Sequence, residues 1–110
     1  MPHESLGLVQ GTVDVLILRA LVRASMHGYA VSQWIRERSG GALAVEDAAL
    51  YQALHRLERK GWVEAEWGVS DSNRRVKTYQ ITPVGRKQLK SDIAGLRRYV
   101  AALFAVLEPA

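Results

Sequence analysis

Residues Asp47 to Gly61 read Asp-Ala-Ala-Leu-Tyr-Gln-Ala-Leu-His-Arg-Leu-Glu-Arg-Lys-Gly, and the spacing inside this stretch decides how the rest of the chain is read. Leu50, Leu54 and Leu57 recur at i, i+4 and i+7, which predicts a helix with one buried apolar stripe. The same geometry turns Tyr51, Gln52, His55, Arg56, Arg59 and Lys60 outward. That face carries cations for phosphate, an amide and an imidazole suited to base edges, and a phenol suited to either. Gly61 stands where a left-handed cap residue is expected, and Arg59 and Lys60 fall in the last turn, where cations suit the helix dipole. An ordinary amphipathic helix with a solvated basic face would look the same locally, so the flanking residues have to separate the two readings.

After Gly61 the period changes from that of a helix to that of a strand. Trp62 to Trp67 alternates, and Val76 to Thr82 alternates again, with Val76, Thr78, Gln80 and Thr82 on one face and Lys77, Tyr79 and Ile81 on the other. Between them Gly68 to Arg75 is rich in turn formers, so the segment reads as a β-hairpin with a basic tip. Upstream, Met1 to Gln10 lacks periodicity and is expected to be a loose arm. A first helix follows, with Thr12 as N-cap, Asp14 in the first turn, and Val13, Leu16, Ile17, Ala20 and Leu21 as its apolar face. Val15 and Leu18 widen that face, which implies burial on more than one side. A second helix is predicted from Gly28 to Arg38 with Ala30, Val31, Trp34 and Ile35 inward. Ser39-Gly40-Gly41 stops it, and Leu43 to Val45 leads on to the central helix. Helix, helix, basic helix and hairpin is the order of a winged helix-turn-helix.

Thr82-Pro83 opens the last element, with threonine as N-cap and proline at the first helical position. Within it Leu89, Ile93, Leu96, Val100, Leu103 and Leu107 are spaced 4, 3, 4, 3, 4, an average of 3.5 residues. That is the seam of a coiled-coil-like pairing; a helix lying on a globular core would show a wider 3.6-period face. The fold class expected is therefore mostly α with a small β-hairpin. A winged helix with its N-terminal arm occupies residues 1–82, and a long C-terminal dimerisation helix occupies 83–110 in the same compact unit.

With 110 residues the chain suits one core, and a net charge of +4 with a pI near 9.8 favours an anionic partner. From Arg74 onward eight Lys or Arg face only Asp92 and Glu108, so the basic excess belongs to the C-terminal third. No cysteine occurs, and His3, His27 and His55 fall at no metal-ligand spacing. Neither an export signal nor a membrane-length apolar run is seen, so a cytoplasmic protein without a membrane partner is expected. No nucleophile elbow, phosphate loop or zinc-protease motif is present. Neither catalysis nor a cofactor or metal is expected. A winged helix that binds only protein is the competing class, and the outward Arg56, Arg59 and Lys60 argue against it. Trp34, Trp62 and Trp67 could suggest a ligand cage, but the inward face of Trp34 and the strand position of Trp62 make core packing the expectation.

The chain resembles the PadR family of bacterial transcriptional regulators from about Gly11 to Leu107. The resemblance is carried by His27-Gly28-Tyr29, by Leu50-Tyr51 with Ala53-Leu54-His55-Arg56-Leu57, and by Gly61-Trp62. It continues through Arg74-Arg75, Lys77, Tyr79 and Ile81-Thr82-Pro83 to Gly85. It implies a homodimeric winged-helix repressor acting on a near-palindromic double-stranded operator, of the smaller size class with one helix after the wing. Two positions depart from the family pattern. Where members carry Gly-Ser-Leu-Tyr-Pro, this chain has Ala48, Ala49, Leu50, Tyr51 and Gln52, so Asp47 is expected to cap the central helix and an amide is placed near the groove. Tyr99 stands near a position where many members carry tryptophan. Such an aromatic residue is implicated in members that bind aromatic compounds at the dimer interface.

On this reading Gln52 is the expected adenine contact and Arg56 the guanine contact. Tyr51, His55, Arg59, Lys60 and the wing residues Arg74, Arg75 and Lys77 complete the DNA surface, with His27 and Tyr29 adding phosphate contacts at a helix start. A small aromatic effector, if one acts, is expected in a cleft lined by Val15, Leu18, Tyr99 and Phe104.

Overall fold

The computed structural model describes residues 8–9 and 11–109. Four helices and a small sheet follow in the order α1 (Thr12–Arg23), β1 (Met26–His27), α2 (Gly28–Arg38), α3 (Asp47–Arg59), β2 (Val63–Val69), β3 (Arg75–Ile81) and α4 (Pro83–Leu107). The architecture is a winged helix with a long C-terminal helix, as the periodicities predicted. Most of the expected arm, residues 1–7 with His3 and residue 10, lies outside the described residues. Its end is not loose: Leu8 packs against the core, and the Val9 carbonyl accepts from the Thr12 amide at 3.1 Å and from its hydroxyl at 2.6 Å.

The core forms where the apolar stripes of the first three helices converge. Ile17, Leu18 and Leu21 of α1 meet Val31 and Ile35 of α2 and Leu50, Leu54 and Leu57 of α3, with Val63 and Tyr79 of the sheet closing one side. Two helix starts differ from expectation by one residue. Thr12 is the first helical residue, because Gly11 takes the cap position in a left-handed conformation (φ 88°) that a threonine would resist. At α3 the cap is Glu46 and not Asp47; Glu46 is extended and its carbonyl accepts from Leu50, leaving Asp47 in the first turn, where its charge suits the dipole.

The end of α3 carries more of the architecture. Gly61 adopts φ 75°; its amide donates to the Glu58 carbonyl and that of Trp62 to the Leu57 carbonyl, both at 3.0 Å. This pair of bonds is a Schellman cap, and it turns the chain straight into β2. From Val63↔Ile81 to Val69↔Arg75 the hairpin is in unbroken antiparallel register, and a tight tip closed by Ser70 and Arg74 joins its strands. A third strand was not expected. Met26–His27 pairs with Tyr79 and Thr78, giving the order β1-β3-β2; a strand of two residues is too short to show a period in sequence.

Where the hairpin returns, α4 begins. Thr82 donates its amide to the Trp62 carbonyl at 3.0 Å and its hydroxyl to the Gly61 carbonyl at 2.7 Å, and that hydroxyl accepts from the Gly85 amide at 3.0 Å. Gly85 packs so closely here that a Cβ would overlap the Trp62 carbonyl oxygen, a backbone atom with no freedom to rotate away. From this joint α4 runs for 25 residues, about 37 Å at 1.5 Å per residue. Leu89 is buried in the domain's own core and Ile93 packs against it, whereas every residue from Leu96 to Pro109 is exposed. The predicted seam therefore divides, its first two positions serving the domain and its later ones exposed.

Gly85→Ala is expected to lower stability by about 3 kcal/mol through backbone overlap, and the thermal midpoint by about 10 °C or more at fixed protein concentration. Thr82→Ala, which removes the hydroxyl that caps α4 and donates to the Gly61 carbonyl but introduces no overlap, is expected to cost less, about 1–2 kcal/mol. Thermal unfolding followed by circular dichroism checks the order of the two effects, and equal effects would refute the tight joint.

Candidate nucleic-acid interface

Three elements bring the polar residues together. The pairing His27↔Thr78 lays the start of α2 beside β3, and α3 crosses next to both. Gly28, buried at the first position of α2, is where they touch: a Cβ there would lie 2.8 Å from the Tyr51 hydroxyl and 2.9 Å from its ring. Tyr51 thus lies across the start of α2, half-exposed, so close that a Cβ at residue 28 would make the phenol shift. His27 is the cap of α2, its Nδ1 accepting from the Ala30 amide at 3.2 Å, and its ring is 6.4 Å from that of Tyr29 in a stacked arrangement. Tyr29 is not a core ring; it is exposed, and its hydroxyl accepts from Gln33 Nε2 at 3.0 Å.

Between these residues and the wing runs a cleft of about 510 Å³, lined by His27, Tyr29, Tyr51, His55, Trp67, Arg75 and Lys77 among others. Trp67 and Lys77 are directly paired across the hairpin, so they share its face with Arg75 on the diagonal. The Arg75 guanidinium lies 4.6 Å from the centre of the Trp67 ring and the Lys77 ammonium 5.9 Å from it. Trp67 is 56% exposed, which corrects the expectation of a core tryptophan; on the wing strand it sits at the rim of the cleft, outside the core, against the Arg75 and Lys77 cations. Trp34 and Trp62 do pack on the edge of the core, beneath Arg19 and Arg23 in one case and Lys60 in the other.

The wing cations are not equivalent. Lys77 Nζ donates to Glu58 Oε1 of α3 at 3.2 Å, tying the wing to the central helix. Burial opposes the charge on Lys77, but that bond and the neighbouring Tyr79 outweigh it and hold the ammonium above the ordinary lysine pKa. Burial likewise pushes the Tyr79 phenol up, so at neutral pH the pair is one cation beside one neutral hydroxyl. Arg74 at the tip and Arg75 over Trp67 are exposed.

On α3 itself, Tyr51, Gln52, His55 and Arg59 are exposed on the outward face, as the leucine spacing required, and Lys60 follows at the cap. Arg56 is held differently: its Nη2 donates to Asp14 Oδ1 of α1 at 2.7 Å. In sequence Arg56 belongs to the outward face of the central helix and Asp14 to a helix start, and no local signal links residues 42 positions apart.

The proposed effector cleft is partly assembled. Val15 and Tyr99 line a cleft of about 710 Å³ between α1 and α4, together with Asp14, Trp62, Asp92 and Leu96. Leu18 does not, because it lies with Leu21 on the core face of α1 and is fully buried. Phe104 is exposed farther along α4 and does not line it.

Comparison with known proteins agrees with this geometry. The model of the transcriptional regulator PadR-like family matches residues 17–91. Uncharacterized protein X of Lysinibacillus sphaericus is 37% identical over 83 residues, covering 74% of this chain and 75% of that one. A transcriptional regulator from Clostridium thermocellum superposes with a TM-score of 0.82 at 27% identity, over 90% of this chain and 93% of that chain. Bacillus subtilis PadR, solved in complex with operator DNA, shares the fold with a TM-score of 0.68 at 20% identity, over 74% of this chain and 47% of that chain. With the family pattern extending from the middle of α1 into α4, across the central helix and the whole wing, this chain belongs to the PadR-like family of transcriptional regulators.

Proposed function

We propose that the protein is a homodimeric, sequence-specific DNA-binding repressor that reads a near-palindromic operator. The observation that carries this reading is the single surface on which the outward face of α3 and the cations of the wing lie side by side, with an aromatic-lined cleft between them. In this reading α3 enters the major groove. Gln52 contacts adenine through its amide, at about 1–3 kcal/mol of discrimination for a bidentate pair. Tyr51 and His55 lie on the flank of the helix beside the cleft, and Arg59, Lys60, Arg74 and Arg75 meet phosphates. Lys77, already bound to Glu58, braces the wing against α3 and presents the remainder of its charge to the backbone. His27 and Tyr29, at the start of α2, approach a phosphate where helix amides favour anions. The fold is one that a PadR protein of Bacillus subtilis uses on operator DNA, which supports a DNA partner here.

Dimerisation is supported by the exposed part of the α4 seam. Leu96, Val100 and Leu103 are 38–40% exposed and Leu107 is 63% exposed, a row of aliphatic side chains that one protomer leaves uncovered. For a dimer paired along it, a two-fold operator calls for two α3 helices about one helical turn, ~10 bp, apart. A planar aromatic effector in the α1–α4 cleft, touching Val15 and Tyr99, would act by changing that separation. A shift of a few ångströms against a ~34 Å groove repeat displaces one half-site.

Selection of bound duplexes from random DNA is the deciding experiment: a two-fold symmetric motif is expected, and failure of a folded protein to enrich any motif would point instead to a winged helix that binds protein. Arg75→Ala and Trp67→Ala are each expected to weaken binding on all sequences alike, Arg75→Ala also lowering the slope of log affinity against log salt by about 1. Affinity titrations at several salt concentrations measure this, and an altered motif in place of a uniform loss would contradict a phosphate role. Val100→Asp with Leu103→Asp is expected to give a folded monomer in sedimentation velocity, because neither side chain belongs to the protomer core. A dimer that survives both changes would place the interface elsewhere.

A further inference from the structure

Asp14 has an evident local role as an acid in the first turn of α1, where the dipole favours it, and that role involves no part of the reading face. The fold gives it a second one. Its Oδ1 receives the Arg56 Nη2 at 2.7 Å, and the Asp14 side chain is 20% exposed while that of Arg56 is 43% exposed. Arg56 borders one shallow depression with Gln52, His55 and Arg59 on the outer face of α3 and a second one with Asp14 at the start of α1. Among the described residues, it is the member of that group of four with a hydrogen-bonded partner.

A guanidinium specifies guanine when two of its N–H groups meet O6 and N7 together. The bond to an ionised carboxylate is stronger than one to a neutral base acceptor, and transfer of Arg56 to a base would leave the largely covered Asp14 carboxylate without its partner. We propose that Asp14 is a specificity-determining residue of this regulator, acting through Arg56. By holding the guanidinium against α1 it keeps the guanine-reading group of the central helix out of the groove and leaves base recognition to Gln52 and its exposed neighbours. Asp14 touches no DNA in this scheme; it is a positioning residue whose effect appears as a base preference. The inference rests on the DNA-reading function proposed above.

The test repeats the duplex selection with four proteins: the unaltered chain, Asp14→Ala, Arg56→Ala and the double variant, each checked for folding by its thermal midpoint. Asp14→Ala is expected to gain a guanine at one position of each half-site, preferred by about 5- to 150-fold, and the double variant to lose that gain. Arg56→Ala alone is expected to keep the unaltered motif. A folded Asp14→Ala protein with an unchanged motif would overturn the inference, as would loss of a guanine from the motif on Arg56→Ala alone. Should Asp14→Ala fail to fold, the Arg56→Ala arm still decides, because an arginine already withheld cannot alter the motif when removed. No enrichment by the unaltered chain would overturn the operator reading itself, a result distinct from a motif that is present and indifferent to Asp14.

Discussion

The structure depends on the joint at which α3 ends, the wing begins and returns, and α4 starts. Four residues make it: Gly61 in its left-handed cap, Trp62 with its carbonyl receiving the Thr82 amide, Thr82 bonded to both sides, and Gly85 packed against Trp62. Backbone groups drawn away from water need partners, and here their bonds link the end of α3, the return of the wing and the start of α4. The angle between the central helix and the wing, and that between the domain and α4, are therefore set by one hydrogen-bonded cluster. In a dimeric regulator the first angle places the wing beside the groove and the second spaces the two central helices, so both depend on the same short stretch of backbone.

Away from that joint, ion pairs decide how the basic surface is used. The chain has 15 Lys and Arg, but those near the proposed DNA face differ in freedom. Lys77 is tied to Glu58, Arg56 to Asp14, and Arg75 is laid on Trp67, whereas Gln52, His55 and Arg59 are exposed on the outer face. A cation with a carboxylate partner contributes less to the field that draws phosphate, and its geometry is set by the protein. A cation on an aromatic face keeps its full charge while losing rotational freedom. The wing thus joins a bracing lysine to a pre-oriented arginine, both on the face that carries Trp67.

The shape of α4 follows from the same separation of duties. Its first turns are part of the domain, with Leu89 in the core, and its later turns carry aliphatic side chains that one protomer leaves exposed. The even spacing of the seam reads as a single pairing surface in sequence. The fold divides it, because only Leu89 and Ile93 of the seam reach the core and every residue from Leu96 to Pro109 is exposed.

The order of the four helices and the hairpin, the class of fold, the caps at Gly61 and Thr82 and the outward residues of α3 are legible in the residues alone, because helix and strand periods and cap residues are local signals that act within a few positions. The family pattern was legible for the same reason: His27-Gly28-Tyr29 and Gly61-Trp62 mark places where the backbone needs a particular residue. Contacts between residues far apart in sequence come from packing instead: Tyr51 on Gly28, the strand at Met26–His27, Leu18 in the core and not in the cleft, Trp67 beneath the wing cations, and Asp14 on Arg56. No period or motif encodes an ion pair 42 residues apart; it exists because the packing of the apolar stripes of α1, α2 and α3 brings the start of α1 against the flank of α3.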